Sequence, residues 1–207
     1  GGLGTGITNA QLAGSIDVTS KITGVVPTAN LGSGSASSSV FLAGDSTWIA
    51  AGGGITVADQ WRVTADITSD ADPIASNLEQ VDTGGQGTLG SAMTESSGVF
   101  TFPETGIYLV SMGGRGDCPS SADNVNMSIS VTTDDSSYAG IAAGGESAGA
   151  SSSAKVFGMY CQTLVDVTDT SNVKVRFSVG SIASGNFFSG STTENSTYMT
   201  FIRLGDT

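Results

Sequence analysis

Histidine is absent from the 207 residues, cysteine occurs twice, proline four times, and lysine and arginine together only seven times. Each scarcity removes a class of function. Without an imidazole there is no Ser-His-Asp triad and no histidine ligand for zinc or haem. Cys118 and Cys161 lie in separate segments with no Cys-x-x-Cys spacing, so they are read either as one disulfide or as two free thiols packed as small hydrophobes. Seven cationic side chains against nineteen acidic ones leave a formal charge of −12. That balance cannot neutralise a run of phosphates, so nucleic acid is not an expected partner, and anionic membrane surfaces are disfavoured for the same reason. No apolar run reaches the length of a membrane span and no basic segment precedes an apolar stretch, so neither membrane insertion nor a secretory leader is expected. The acidity reads as a solubilising surface charge. The chain begins Gly1-Gly2 without a methionine, and is read as the distal part of a longer polypeptide or a processed product.

What is present points to β structure. Glycine is frequent at 30 residues and only 13% of positions are charged, yet 38% are hydrophobic, too many for a disordered chain. Strong helix formers such as Lys, Glu and Arg are scarce, whereas Val, Ile, Thr and Phe recur in alternation. Two regions differ in grammar. In residues 1–54, Leu12-Ala13-Gly14-Ser15-Ile16 returns ten residues later as Ile22-Thr23-Gly24-Val25-Val26, and Gly34 continues the spacing of Gly14 and Gly24. So short an apolar–Gly–apolar unit cannot bury its own apolar residues. Three identical chains wound together can, with glycine allowing close backbone approach. This region is therefore expected to be a thin, extended stalk. The Gly/Ser tract 32–39 reads as flexible, Asp45-Ser46-Thr47 as a turn, and Trp48 as a side chain buried against a neighbour.

From residue 55 to 207 the pattern has a period of two. Val125, Met127, Ile129 and Val131 alternate with polar residues, as do Val173, Val175, Phe177 and Val179. Tyr198, Thr200, Ile202 and Leu204 oppose Met199, Phe201 and Arg203 on a last strand. Lys155 to Val167 reads as one strand bent at Gly158. Gly/Ser clusters at 113–121, 139–153 and 180–191 are expected to be loops. About eight strands with no helix predict a β-sandwich of jelly-roll type.

The stretch Gly98-Val99-Phe100-Thr101-Phe102-Pro103-Glu104-Thr105-Gly106-Ile107-Tyr108 resembles the Gly-x-Phe-x-x-Pro-x-x-Gly-x-Tyr signature of C1q/TNF-like domains, and the closing strand 200–205 is similar to the last strand of that family. The family's central Gly-Asp-x-Val element appears only as Val167-Thr168-Asp169-Thr170-Ser171-Asn172-Val173. Residues 22–31 and 37–48 resemble stalks of bacteriophage tail fibres, and 59–63 with 72–79 resemble the opening of C1q-like heads in phage structural proteins. The resemblance implies a homotrimer on the surface of a phage particle, made in the host cytoplasm and attached to other virion proteins through its stalk. Its head would recognise a host glycan or protein, with no cofactor. A capsid decoration fibre without a receptor, or a polysaccharide depolymerase, is the alternative it leaves. Phe100, Phe102, Pro103, Gly106, Tyr108, Phe201 and Leu204 are the expected core and trimer signature.

Other candidates are weaker. Arg115-Gly116-Asp117 spells an integrin-type tripeptide, which three residues do often by chance, and Gly113-Gly114 and Pro119 place it in a turn. Asp66, Asp70 and Asp72, or Asp134-Asp135, have the oxygen chemistry of calcium ligands without EF-hand spacing; no metal site is expected. Glycoside hydrolysis needs two carboxylates at a set separation, and nothing singles out a pair among nineteen. The Gly/Ser spellings at Gly32-Ser33-Gly34 and around Gly185 are chance echoes of a nucleophile elbow. No catalytic residue is expected, and receptor-binding residues cannot be named. Loops at 134–153, with Tyr138, and at 180–197, with Asn186, suit saccharide or protein contact, while Phe187-Phe188 is expected in the trimer seam.

Overall fold

A computed structural model describes residues 31–37, 40–50, 54–118, 123–148 and 155–207. The chain divides into two compact units, 1–53 and 54–207. The ten-residue repeat at 12–26 lies outside the described residues. In the first unit, β1 (Val40–Leu42) and β2 (Trp48–Ala50) form an antiparallel hairpin. Its loop closes because Asp45 Oδ1 accepts from the Thr47 amide at 3.0 Å and the Thr47 hydroxyl at 2.6 Å, a side-chain-mimicked turn. The start of the Gly/Ser tract is not free: the Ser33 amide donates to Ser46 O and its carbonyl accepts from Trp48 N. Gly32 sits too close to the Ser46 carbonyl for any Cβ, which is why glycine is needed there.

The second unit is a two-sheet sandwich. One sheet runs β10 (Lys155–Val167), β7 (Gly106–Cys118), β13 (Thr197–Gly205), β3 (Ala58–Val63), β4 (Leu78–Gln80), with β12 (Phe187–Phe188) pairing β7 beyond the start of β13. The other runs β5 (Thr94–Ser96), β6 (Val99–Thr101), β11 (Lys174–Gly180), β8 (Asp123–Thr132), β9 (Ala139–Ala148). Every pairing between these strands is antiparallel and sequence neighbours repeatedly fall in opposite sheets, the connectivity of a jelly roll.

The signature residues explain the corner between the sheets. Ser97 and Gly98 both have positive φ (54° and 83°) and join β5 to β6 as a two-residue turn of the primed type that matches strand twist. Phe100 and Phe102 then point into the sandwich, and Pro103 follows the end of β6, where no ladder donor is required. Tyr108 is fully buried and donates its hydroxyl to Glu104 O at 3.0 Å, so its ring fills the core without stranding a polar atom. Phe100 meets Trp61, Phe177 and Phe201 at ring-centroid distances of 5.2–5.5 Å, and Met112, Met127, Ile129 and Val175 complete the packing. Leu204 does not join this core: it is 52% exposed.

Gly106 opens β7 at φ +144°, where a Cβ would lie 2.5 Å from Arg203 Nε and 2.6 Å from Gly205 O. Gly106→Ala should cost about 1–3 kcal/mol, seen as a lower thermal midpoint. Gly158→Ala is the control, because a Cβ there meets nothing within 4 Å, and should leave the midpoint unchanged or slightly raised.

Two expected loops are largely strand, and the third, 180–191, is a loop that holds only the short β12 and the end of β11. Residues 113–118 complete β7, 139–148 form β9, and 187–188 form β12. The head has eleven described strands, β3 to β13, against about eight expected. β9 is hidden in sequence by its glycines and alanines; at Gly144 a Cβ would lie 3.2 Å from Tyr160 O of β10, so glycine suits the close approach at that position. Ile141 is the extra residue of a bulge, since Ile129 pairs Ala142 and Ser130 pairs Gly140. β10 pairs β7 in unbroken register through Gly158, with no interruption at that glycine.

Candidate functional site

The tripeptide Arg115-Gly116-Asp117 lies within β7, not in a turn: Gly116 pairs Phe157 and Phe188, and a Cβ there would strike the Phe157 ring. A loop-borne adhesion motif is thereby corrected to a strand segment. Phe188 is buried in the protomer's own core, edge-on to Phe157 at 4.9 Å. It therefore does not form a seam between copies.

The candidate calcium ligands are occupied by their own chain. Asp66 accepts from Gly190 N and Asp70 from Ile182 N, while Asp72 lies 3.5 Å from Arg176. Asp135 pairs with Lys174 at 2.6 Å. Hydrogen bonds from the Ser137 amide, the Thr132 hydroxyl and the Ser136 amide hold the Asp134 carboxyl well below the usual carboxylate range. The folded state thus favours this carboxylate. Its contribution is present above the ordinary aspartate pKa of about 4 and is lost as pH falls through the depressed value. Among the described residues no group of three or more His, Cys, Asp or Glu is placed to hold a metal ion. Neither cysteine is in a disulfide and both are buried, and burial pushes the Cys161 thiol up to about 11, so it stays protonated and unreactive at neutral pH.

The feature left unsatisfied by the protomer is an apolar face. β10 is an edge strand, and its inward residues Phe157, Met159, Cys161, Val165 and Val167 are buried. Three of its six outward residues are apolar as well, Val156, Tyr160 and Leu164 at 62%, 54% and 60% exposed, with Gly158, Gln162 and Asp166 between and beyond them. The register extends them across the sheet. Leu164 stands beside Leu109 and Ile202, and Tyr160 beside Gly113 and Tyr198. A strand with large apolar side chains on both faces is expected where both faces are covered, and apolar edge strands are otherwise protected. That pattern was readable in residues 155–167, but sequence reasoning singled out none of the outward side chains of β10. The opposite end of this sheet is polar and self-satisfied. Buried Arg62 donates to Glu79 Oε1 at 2.6 Å, Thr83 Oγ1 at 2.9 Å and Thr192 O at 2.6 Å.

No family model and no curated protein matches the sequence. Among solved structures, the Eiger TNF of S. frugiperda is similar over 74% of this chain and 95% of its own, at 15% identity and a TM-score of 0.53. Murine APRIL covers 72% of this chain and 98% of its own, at 11% identity and a TM-score of 0.49. With the two sheets, their order and the Eiger likeness together, the 54–207 unit has the TNF/C1q-like jelly-roll fold.

Proposed function

We propose that the chain is a non-catalytic structural fibre protein of a bacteriophage particle, whose 54–207 unit assembles as a homotrimer and serves as a head for host-surface recognition. One observation carries the assembly: the outward face of β10, β7 and β13 leaves Leu164, Tyr160 and Val156 in water in the single protomer, with Leu109 and Ile202 half-buried beside them. A second copy is the occupant that fits, because an edge strand of one copy set on the sheet face of the next is a head-to-tail contact that a three-fold rotation closes into a ring. The virion setting rests on the fibre-like stretches 22–31 and 37–48. Three joined heads would convert weak surface contacts into firm attachment.

Leu164→Asp tests the assembly. The side chain is exposed in the protomer, so the fold should persist by circular dichroism. Burying a leucine contributes about 1.5–3 kcal/mol, and each trimer would lose three such contacts while gaining three buried carboxylates. The variant is expected to run as a monomer in light scattering; a mass unchanged from the parent chain would remove this face from the assembly.

A further inference from the structure

The first unit carries an apolar face of its own. In the hairpin of β1 and β2 the register sets Phe41 opposite Ile49 and Leu42 opposite Trp48, and alternation puts these two pairs on opposite faces. The second pair is partly covered by its own chain: Trp48 is half-buried, a Cβ on Gly32 would lie 2.6 Å from Leu42 Cδ1, and Ser33 pairs Thr47. The first pair is open, with Phe41 48% and Ile49 43% exposed.

Two strands of three residues do not hold an open apolar pair in water. An isolated hairpin is marginal at best, and independent stability needs further strands or a surface to pack on. Residues 31–50 contain a single charged side chain, Asp45, and it lies in the turn, where Oδ1 accepts from the Thr47 amide and hydroxyl. A partner recognised by charge finds nothing to grip here, whereas identical faces can meet without burying a charge.

Continuity with the head selects the partner. Residue 54, the first of the second unit, follows residue 50 at a reach of at most about 14 Å. The chain then runs beside β13: Val57 O accepts from Arg203 N, and Ala58 pairs Ile202, a residue of the face that the assembly above covers. A trimer closed on that face brings the three chain entries next to the seam. It holds three hairpins at an effective concentration of about millimolar, where a small apolar contact forms that free chains would not make.

We propose that the hairpin of residues 40–50 is a second contact between copies, in which Phe41 and Ile49 of three chains pack on one another ahead of the heads. The inference rests on the trimeric reading above and extends it to the first unit, where a compact clamp takes the place of the expected thin winding. The clamp is secondary, closing only where joined heads bring the hairpins together.

Hydrogen exchange of the full chain, read by mass spectrometry over residues 40–50, tests it, with the mass of every variant followed by light scattering. The amides of Ala43, Ser46 and Trp48 donate within the unit and report on the hairpin. In the parent trimer they should exchange at least about tenfold more slowly than in Leu164→Asp, whose substitution lies in the other unit and separates the heads. Phe41→Ser should lose the same protection at an unchanged trimer mass, while Ser35→Ala, at an exposed position of the same unit, should keep it. A parent trimer whose hairpin exchanges no more slowly than that of the Leu164→Asp monomer overturns the proposal and leaves the head trimer standing. So does a Phe41→Ser trimer with full protection. A parent chain of single-chain mass overturns the head assembly and this contact together.

Discussion

Phe100→Ala should lower the unfolding free energy of the head by about 3–5 kcal/mol, read as a fall in the urea midpoint with little change in slope at fixed protein concentration. Phe100 is fully buried and is the point at which the sheets meet: its ring contacts Phe177 from the β11 side and Trp61 and Phe201 from the β3 and β13 side. Truncation removes the ring that these three share, at a site where Phe102, itself against Tyr108 at 4.7 Å, cannot swing to fill the space. Domains of this size have only about 5–15 kcal/mol to lose, so the variant is expected to express poorly and to assemble little. A loss below about 1 kcal/mol would mean that the core relaxes around the vacancy and that the ring cluster is not what holds the sheets together.

Asp59→Ala should be comparably damaging for a different reason. Asp59 is almost wholly buried, and its two oxygens collect five donors. Oδ1 accepts from the Gln60 amide at 2.9 Å, Gln80 Nε2 at 2.9 Å and Thr88 Oγ1 at 3.1 Å. Oδ2 accepts from Trp61 Nε1 and from the Met93 amide, both at 2.9 Å. The carboxylate thereby ties β3 to the 80–93 connection. Alanine orphans these donors, and each buried one costs about 1–3 kcal/mol, so a total loss of about 3 kcal/mol or more is expected. Asparagine is not a neutral replacement either, since its NH₂ group would face donors on one side; Asp59→Asn should fall between the parent and alanine. The change is visible locally, because Trp61 fluorescence should shift to the red as its indole N–H turns to water.

The head was legible where alternation was written in large side chains. Val173, Val175, Phe177 and Val179 are buried as their spacing requires, as are Met199 and Phe201, and the Gly98-to-Tyr108 stretch carries both the primed turn and the core rings. It was illegible where packing demands small residues. β9 is mostly glycine, alanine and serine, with Gly144 set close against the β10 backbone, and Gly114 and Gly116 of β7 are glycines because Phe188 and Phe157 lie against them. Composition marked these segments as loops, although close backbone approach is an equally good reason for glycine in a strand. The tripeptide at 115–117 was misplaced for that reason. The candidate face was hidden differently: its residues Leu109, Gly113, Leu164 and Ile202 are scattered over the chain, and only the strand register sets them side by side.

The central claim is that three copies cover the outward face of β10, β7 and β13. The direct test is the absolute mass of the unmodified chain by multi-angle light scattering over a wide range of concentration. The account predicts one species at three times the 20.6 kDa chain mass, persisting on dilution. A single-chain mass throughout that range would contradict it.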